Sequence, residues 1–206
     1  MKNIAVSSND IQVFCSPKAY KQQLLSLIAT ARTRIYITVL YLQSDDAGTE
    51  ILHALYHAKE KIPSLDIKIF VDFHRAQRGL IGEKNNLGNR ELYLALEQQY
   101  QQSIEIYGVA VKSKEIFGVL HLKGMVFDNA VFYTGASIND VYCQQHHRYR
   151  LDRYYQIKSE SLSNSFCDYL TIHFLDTKLA PQLNIETVPN KVEQKKILQR
   201  LKPLLK

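Results

Sequence analysis

The sequence predicts an α/β fold in which a mixed, mostly parallel sheet is flanked by helices. Short segments rich in β-branched and aromatic residues alternate with segments whose apolar residues recur at helical spacing. Strands that alternate with helices in this way form βαβ units with parallel strands. Residues 117 to 137 differ, because they read as two strands joined at Asp128 and Asn129, a hairpin signal. The 206 residues, 46% of them hydrophobic, suffice for one packed core.

The first half of the chain repeats a strand–helix pattern. Residues 11 to 17 predict a short strand that ends at Ser16 and Pro17, an N-cap followed by proline at the first helical position. A helix should follow, and then the buried strand RIYITVLYL. A second amphipathic helix contains Ile51 and Leu55, Pro63 ends it, and residues 65 to 73 predict another apolar strand.

The second half begins with a long loop from His74 to Asn89, which holds three glycines and should lie at the surface. A third helix near residues 89 to 102 leads to the strand IEIYGVAV, and the hairpin follows it. A strand around DRYYQI, a helix from about Ser161 to Phe174, a loop containing proline and a basic tail helix complete the chain.

The net charge of +6 is concentrated in the tail. Residues 191 to 206 hold six basic groups and one acid, whereas residues 1 to 190 carry a net charge of +1. A nucleic-acid footprint should lie on the fold itself, so this distribution argues against one. We therefore divide the chain into a domain over 1 to 190 and a basic amphipathic helix over 191 to 206. Such a helix suits an anionic membrane surface, and packing against a partner is the alternative.

Several classes of protein are excluded by composition. No stretch reaches the roughly 18 apolar residues of a membrane-spanning helix, and the N-terminus lacks the apolar run of a signal peptide, so we expect a cytoplasmic chain. The three cysteines form no metal or disulfide pattern and are expected to be reduced and buried. His53 and His57 share a helical face but lack the glutamate of a zinc motif, and we expect no metal.

A candidate site begins with His121 and Lys123, which lie two residues apart in the hairpin. In a strand this spacing sends an imidazole and an ammonium group to the same face. Asp128 completes the pattern HxKxxxxD, and the segment GASIN, with Ser137 and Asn139, follows at residues 135 to 139.

This signature resembles the catalytic motif of the phospholipase D superfamily. The segments FHRAQR at 73 to 78, FGVLHLKG at 117 to 124, GASINDVY at 135 to 142 and YRLDRY at 149 to 154 are similar to the N-terminal half of bacterial phosphatidylserine synthases of that superfamily. The likeness runs from about residue 11 to about residue 200. It implies a phospholipase D-like half-domain and a transferase that acts on CDP-diacylglycerol and L-serine.

The mechanism that the resemblance implies uses no cofactor. A histidine attacks the lipid-bearing phosphorus of CDP-diacylglycerol and expels CMP, and the serine hydroxyl then attacks the phosphatidyl-histidine. Neutral imidazole is a competent nucleophile near pH 7, Lys123 can neutralise charge on the phosphate oxygens, and a second histidine must protonate the leaving group. Ser137 and Asn139 can donate further hydrogen bonds to the phosphate.

Members of that family carry two such motifs in one chain, whereas this sequence holds one complete HxKxxxxD. The second motif must therefore come in trans, from a homodimer or a separate second-half chain. A homodimeric single-motif phosphodiesterase, either a phospholipase or a nuclease, is the first alternative. A catalytically silent fragment that binds a membrane or a partner is the second. We expect no nucleic-acid partner, and we expect the protein at the inner face of the membrane as a peripheral protein.

The two acids of the candidate site have different expected roles. By strand parity Asp128 should face away from His121 and Lys123, so we expect it to accept backbone hydrogen bonds in the hairpin. Asp152, at the start of the next strand, is the expected partner of the other ring nitrogen of His121, with a surface ion pair to Arg150 or Arg153 as the alternative.

The stretch FHRAQR follows the end of a strand, which is where α/β sheets usually hold ligands. His74, Arg75, Gln77 and Arg78 are therefore candidates to bind the pyrophosphate, the cytidine or the serine carboxylate, because arginine suits oxyanions.

Overall fold

The computed structural model describes residues 3–78, 88–111, 118–177 and 180–187, together with the single residues 196 and 199. Strands in these ranges are β1 (Ile11–Phe14), β2 (Arg34–Thr38), β3 (Asp66–Asp72), β4 (Glu105–Val109), β5 (Gly124–Phe127), β6 (Ala130–Thr134) and β7 (Tyr154–Lys158). Helices are α1 (Pro17–Thr30), α2 (Asp46–Lys61), α3 (Phe73–Ala76), α4 (Asn89–Gln99), α5 (Asp140–Cys143) and α6 (Glu160–Leu170), which continues as a π-helical turn over Thr171–Leu175.

The described strands form one sheet in the order β1-β7-β6-β5-β2-β3-β4. Strands β2, β3 and β4 are parallel, as expected for strands connected by helices. All other pairs are antiparallel: β5 pairs with β2 and with β6, β6 pairs with β7, and β1 pairs with β7 at the edge of the sheet. The mixed sheet is therefore confirmed, but its parallel part is smaller than we expected and includes two of the six pairings.

The two faces of the sheet have separate cores. The larger core lies on the side of α1, α2 and α4 and includes the fully buried residues Tyr20, Leu55 and Tyr93. The smaller core lies on the side of α6 and includes Phe70, Val126 and Leu170. Each large apolar side chain buried in this way contributes about 2 kcal/mol to stability, so both layers of helices hold the sheet in place.

The first helix, α1, starts where the sequence predicts. Ser16 caps α1 by accepting a hydrogen bond from Ala19 N at 3.1 Å, with Pro17 at the first helical position. Ser159 caps α6 in the same manner. Two short helices were not expected. Residues 73 to 76 form α3 at the start of what we had predicted to be a loop, and residues 140 to 143 form α5 between β6 and β7.

The expectation that the three cysteines are buried is confirmed for two of them and wrong for the third. Cys143 and Cys167 are buried and free, as expected, but Cys15 is exposed because it follows the edge strand β1. The predicted tail helix over 191 to 206 lies outside the described residues, apart from the two single positions.

Asp128 connects the β5–β6 turn to the loop between α1 and β2. Its carboxylate accepts hydrogen bonds from the backbone N–H groups of Arg32, Thr33 and Arg34 and from the Thr33 hydroxyl, at 2.7–3.1 Å for the shortest contact of each group. We expected such bonds within the hairpin itself, but they go to residues about 95 positions earlier in the chain. Burial alone would raise the pKa of Asp128, but these hydrogen bonds outweigh it and lower the pKa below its usual value.

Asp128→Asn should destabilise the protein in a way that depends on pH. Because the folded-state pKa is depressed, the stability that the carboxylate contributes is present above the unfolded pKa of about 3.9 and is lost as pH falls through the folded value. We expect a loss of about 2 kcal/mol in urea unfolding at pH 7, and a smaller difference from wild type at pH 3. Asp10→Asn, at an exposed position, is the control. An equal loss for Asp128→Asn at both pH values would contradict this role.

Candidate active site

His121 and Lys123 lie at the end of the sheet where β5 begins. Both residues precede Gly124, the first residue of β5, so they stand in an extended segment rather than in the strand that we predicted. Lys123 Nζ lies 3.4 Å from His121 Nδ1, so the two side chains meet. His121 is exposed, whereas the leucines on either side of it pack into the smaller core. Lys123 contacts Nδ1 of the imidazole, so the other ring nitrogen, Nε2, takes no part in this contact.

Gly124 keeps this segment close to α6. A Cβ at this position would lie 2.8 Å from the ring of Phe166, and its φ of +150° is in a region that side chains rarely adopt. Only glycine fits here without a shift of the aromatic ring, so the glycine fixes how Lys123 enters the strand.

Asp152 lies beside the same end of the sheet. It precedes β7 by two residues, and a Cβ on Gly135 would come within 2.8 Å of its Oδ2. Burial lowers the pKa of Lys123, and the negative charge of Asp152 acts in the opposite direction. Among the described residues Asp152 accepts a hydrogen bond from the backbone of Arg153 and none from His121. Its charge therefore acts on Lys123, and the expected bond to the imidazole is not formed in this structure.

Ser137 and Asn139 are buried where the chain leaves β6. Asn139 Oδ1 caps α5 by accepting a hydrogen bond from Tyr142 N at 2.9 Å. Its Nδ2 donates at 3.4 Å to the hydroxyl of Tyr41 and to the Gln43 side chain. The amide therefore has three partners within the fold, and Ser137 is 2% exposed.

Asp128 is separated from the other members of its motif. Strand β5 lies between Lys123 and Asp128, a distance of about 16 Å for five residues of extended chain. The structure therefore brings His121, Lys123 and Asp152 together at one end of the sheet and leaves Asp128 at the other.

The stretch FHRAQR forms α3 and the turn after it. Gln77 Nε2 donates to the carbonyl oxygen of Phe73, so its amide group supports the turn. His74, Arg75 and Arg78 are partly buried in the same segment. Arg75 and Arg150 both lower the pKa of Tyr41, although burial has the larger effect and raises it. The positive charge of Arg75 therefore acts on the hydroxyl to which Asn139 donates.

The sequence reasoning missed two residues at this end of the sheet. Tyr41 follows β2 and contacts Asn139. Asp72 ends β3 and is fully buried, and its carboxylate accepts backbone hydrogen bonds from α3 and from Leu120. An aspartate between a buried strand and a helical segment is a signal for an N-cap that could have identified Asp72. Its bond to Leu120 has no such signal in the sequence.

An open depression of about 690 Å³ lies next to Asp152. It is lined by Cys15, Tyr133, Gly135, Leu151, Asp152, Arg153 and Tyr155. Leu151 is 72% exposed, and Val13 and Tyr133 are also exposed. The depression therefore combines exposed apolar side chains with the charged groups of Asp152 and Arg153, and it lies immediately beside the candidate site.

The described residues contain one group that could hold a metal ion, made of Asp46, Asp140 and His146. These side chains already contact one another, with His146 Nε2 at 3.3 Å from Asp46 and 3.4 Å from Asp140. His57 and Lys59 repeat the HxK spacing on α2, but Ser64 stands where the motif requires aspartate, and Lys59 donates to the carbonyl oxygens of Pro63 and Leu65. Neither group lies among the candidate site residues.

Asp152→Asn should lower the pKa of Lys123 further. In wild type the Asp152 charge opposes the effect of burial, and the substitution leaves burial unopposed. The pKa can be measured by NMR titration of the Cε resonance in protein labelled with ¹³C-lysine. Asp168→Asn removes one negative charge from α6 and should leave the Lys123 pKa unchanged. A Lys123 pKa that does not move, or that rises, in Asp152→Asn would contradict the placement of this carboxylate.

In the part of the chain that the structure describes, no helix is both long enough and apolar enough to span a bilayer.

Comparison with known proteins identifies relatives that match nearly the whole chain. It is 39% identical to CDP-diacylglycerol–serine O-phosphatidyltransferase of Haemophilus influenzae, over 92% of this chain and 42% of that protein. It is also 39% identical to the Escherichia coli enzyme of that name, over 95% of this chain and 44% of that protein. The chain therefore spans less than half the length of these relatives.

The fold agrees with a solved relative. The crystal structure of phosphatidylserine synthase from Haemophilus influenzae superposes with a TM-score of 0.91 at 37% identity, covering 98% of this chain and 45% of that one. The resemblance to the N-terminal half of such synthases is thus confirmed. A family model described as "Cardiolipin synthase, PLD-like domain" matches residues 24–149, more than half of the chain, and the chain belongs to this family of phospholipase D-like domains.

Proposed function

We propose that this chain is one half of a phosphatidyltransferase that converts CDP-diacylglycerol and L-serine to phosphatidylserine and CMP. The observation that carries the proposal is the contact between His121 and Lys123, 3.4 Å apart at the end of the sheet, in a chain 39% identical to two such transferases. An exposed imidazole beside an ammonium group is suited to attack a phosphorus atom whose oxygens carry negative charge.

In the proposed first step, His121 Nε2 attacks the lipid-bearing phosphorus, the new N–P bond forms, and the P–O bond to CMP breaks. Attack through Nε2 requires that the proton of the neutral ring is on Nδ1. In that tautomer Nδ1 needs an acceptor instead of the Lys123 ammonium group. Asp152 is the carboxylate whose charge acts on Lys123, and it is our candidate for this role.

Lys123 and the arginines supply the positive field for the phosphate groups. Lys123 faces the phosphorus, and Arg75, with His74, Gln77 and Arg78 of the same segment, would contact the pyrophosphate, the cytidine or the serine carboxylate. The action of Arg75 on Tyr41, and the contact of Tyr41 with Asn139, support one connected polar surface. Ser137 and Asn139 complete this surface. Because the lysine and the hydrogen-bond donors can neutralise the phosphate oxygens, no metal has a role in the steps we propose.

A second histidine must protonate CMP as it leaves, and in this proposal it comes in trans from a second HxK motif. The end of the sheet supports this arrangement, because His121 is exposed there and the depression beside Asp152 is open. A second copy of this chain, or a separate second-half chain, would cover both. The serine hydroxyl then attacks the phosphorus, the new O–P bond forms and the N–P bond to His121 breaks. The second histidine, neutral after protonating CMP, accepts the hydroxyl proton.

The proposal also includes attachment to an anionic membrane surface through the tail at 191 to 206, at the inner face of the membrane. The substrate is a lipid, and the tail carries six of the basic groups of the chain. Each cation near an anionic surface contributes about 1 kcal/mol to binding.

Purified protein, alone or mixed with a second-half chain that carries its own HxKxxxxD, should release CMP from CDP-diacylglycerol continuously only when serine is present. Without serine it should release about one CMP per active site, as the phosphatidyl-histidine forms. His121→Ala should lower this rate by about a thousandfold or more, whereas His57→Ala, at the other histidine with HxK spacing, should not.

Three outcomes of this assay would change the proposal. Steady CMP release without serine would favour a phosphodiesterase that uses water. Cleavage of nucleic acid would favour a nuclease. Unchanged turnover in His121→Ala would contradict the assignment of the site.

Membrane attachment can be tested by sedimentation with vesicles that contain anionic lipid. The double variant Lys195→Gln and Lys196→Gln should weaken binding about 20- to 30-fold at low salt. A control that neutralises Lys18 and Lys61, outside the tail, should bind as wild type does. Equal binding of both double variants would show that the tail does not provide the contact.

A further inference from the structure

Asp72 has an unusual position for a charged residue. It is the last residue of β3, and its side chain is 0% exposed. Its Oδ1 accepts hydrogen bonds from the backbone N–H groups of His74 at 3.0 Å and Arg75 at 2.9 Å. Its Oδ2 accepts one from the backbone N–H of Leu120 at 2.8 Å. A single buried carboxylate therefore joins the FHRAQR segment to the residue just before His121.

The capping of α3 accounts for only one of the two oxygens. An N-cap needs one acceptor atom, which Oδ1 provides, and serine or asparagine would serve equally well. Oδ2 has a separate function, because it binds a segment 48 residues away in the sequence. An ionised carboxylate accepts hydrogen bonds through both of its oxygens and carries no donor.

Among the described residues, the backbone of the segment around His121 has few other hydrogen-bond partners. For residues 118 to 123, the structure gives one backbone hydrogen bond to a described residue outside the strand ladders. It runs from the Leu120 N–H to Asp72. The His121 side chain is exposed and contacts Lys123 at 3.4 Å. The position of the imidazole therefore depends on Leu120, whose side chain is buried and whose N–H group is held by Asp72.

We infer that Asp72 is a positioning residue for the transfer reaction: it sets His121, through the backbone of Leu120, at a fixed place relative to the turn that carries His74 and Arg75. This inference rests on the proposed function, because it assigns His121 to the chemistry. Asp72 does not touch the reacting atoms. It couples the segment that would bind the nucleotide to the residue that would attack the phosphorus.

Asp72→Asn separates the two functions of the carboxylate. The amide oxygen can still accept from His74 and Arg75, but the amide nitrogen then faces the Leu120 N–H, and two donors oppose each other. Asp72→Ser is the second variant, because serine keeps the cap and simply lacks the second acceptor. Both variants should retain α3 and release Leu120.

We expect amide hydrogen exchange at Leu120 to become about tenfold faster or more in both variants, while exchange at His74 and Arg75 changes little. The ring resonances of His121 should shift. In an active preparation kcat should fall about 10- to 100-fold, since a displacement of about 1 Å can have that effect. KM for CDP-diacylglycerol should change less than about threefold.

Asn184→Asp is the matched control, because it makes the reverse exchange at a buried site. Asn184 is 1% exposed, its Nδ2 donates to the carbonyl oxygen of Ile104 and to Glu97, and its Oδ1 accepts from Ile106 N near the start of β4. The variant places a carboxylate against two acceptors at the opposite end of the sheet. It should lower the melting temperature without changing Leu120 exchange, the His121 resonances or kcat.

Two results would overturn the inference: Leu120 exchange and His121 resonances that stay as in wild type in both Asp72 variants, or a loss of kcat no larger than that of Asn184→Asp. If the wild type has no turnover in any combination, the proposed function fails. The exchange and NMR measurements still decide whether Asp72 positions His121, so the two failures are distinguishable.

Discussion

The antiparallel pairing of β5 with β2 is the constraint on which the candidate site depends. Gly124 lies opposite Thr38, the last residue of β2. The chain therefore enters β5 at the end of the sheet where the parallel strands β2 and β3 terminate. Strand β6 ends and β7 begins at this same end of the sheet, so Gly135 and Asp152 lie there as well. A shift of this pairing by one residue would turn His121 and Lys123 towards α6. The register of this pairing therefore decides which side chains lie at the site.

The electrostatics of the site are local. The body of the chain carries a net charge of only +1, so the positive field at the end of the sheet comes from a few placed groups, among them Lys123 and Arg75. Burial lowers the pKa of Lys123, and the negative charge of Asp152 raises it. A phosphate group that arrives next to Lys123 would act in the same direction as Asp152. This arrangement suits a site in which the negative charge of a bound phosphate keeps Lys123 protonated.

The parts of the structure that follow from local chemistry could be predicted. The Ser16–Pro17 start of α1, the alternation of strands and helices, and the meeting of His121 with Lys123 all depend on residues close together in the sequence. Parts that depend on distant contacts could not be predicted. The hydrogen-bond partners of Asp128 are about 95 residues away in the sequence, and Leu120, which donates to Asp72, is 48 residues from it. Strand parity indicated that Asp128 faces away, but no local pattern indicates which loop it binds.

The most direct measurement is to incubate the protein, with its second half if required, with CDP-diacylglycerol labelled in the diacylglycerol phosphate and without serine, and then to map the label by mass spectrometry. We expect the phosphatidyl group on His121 and its release when serine is added. Turnover without label on His121, or label on a residue away from this end of the sheet, would contradict the role of His121 as the nucleophile.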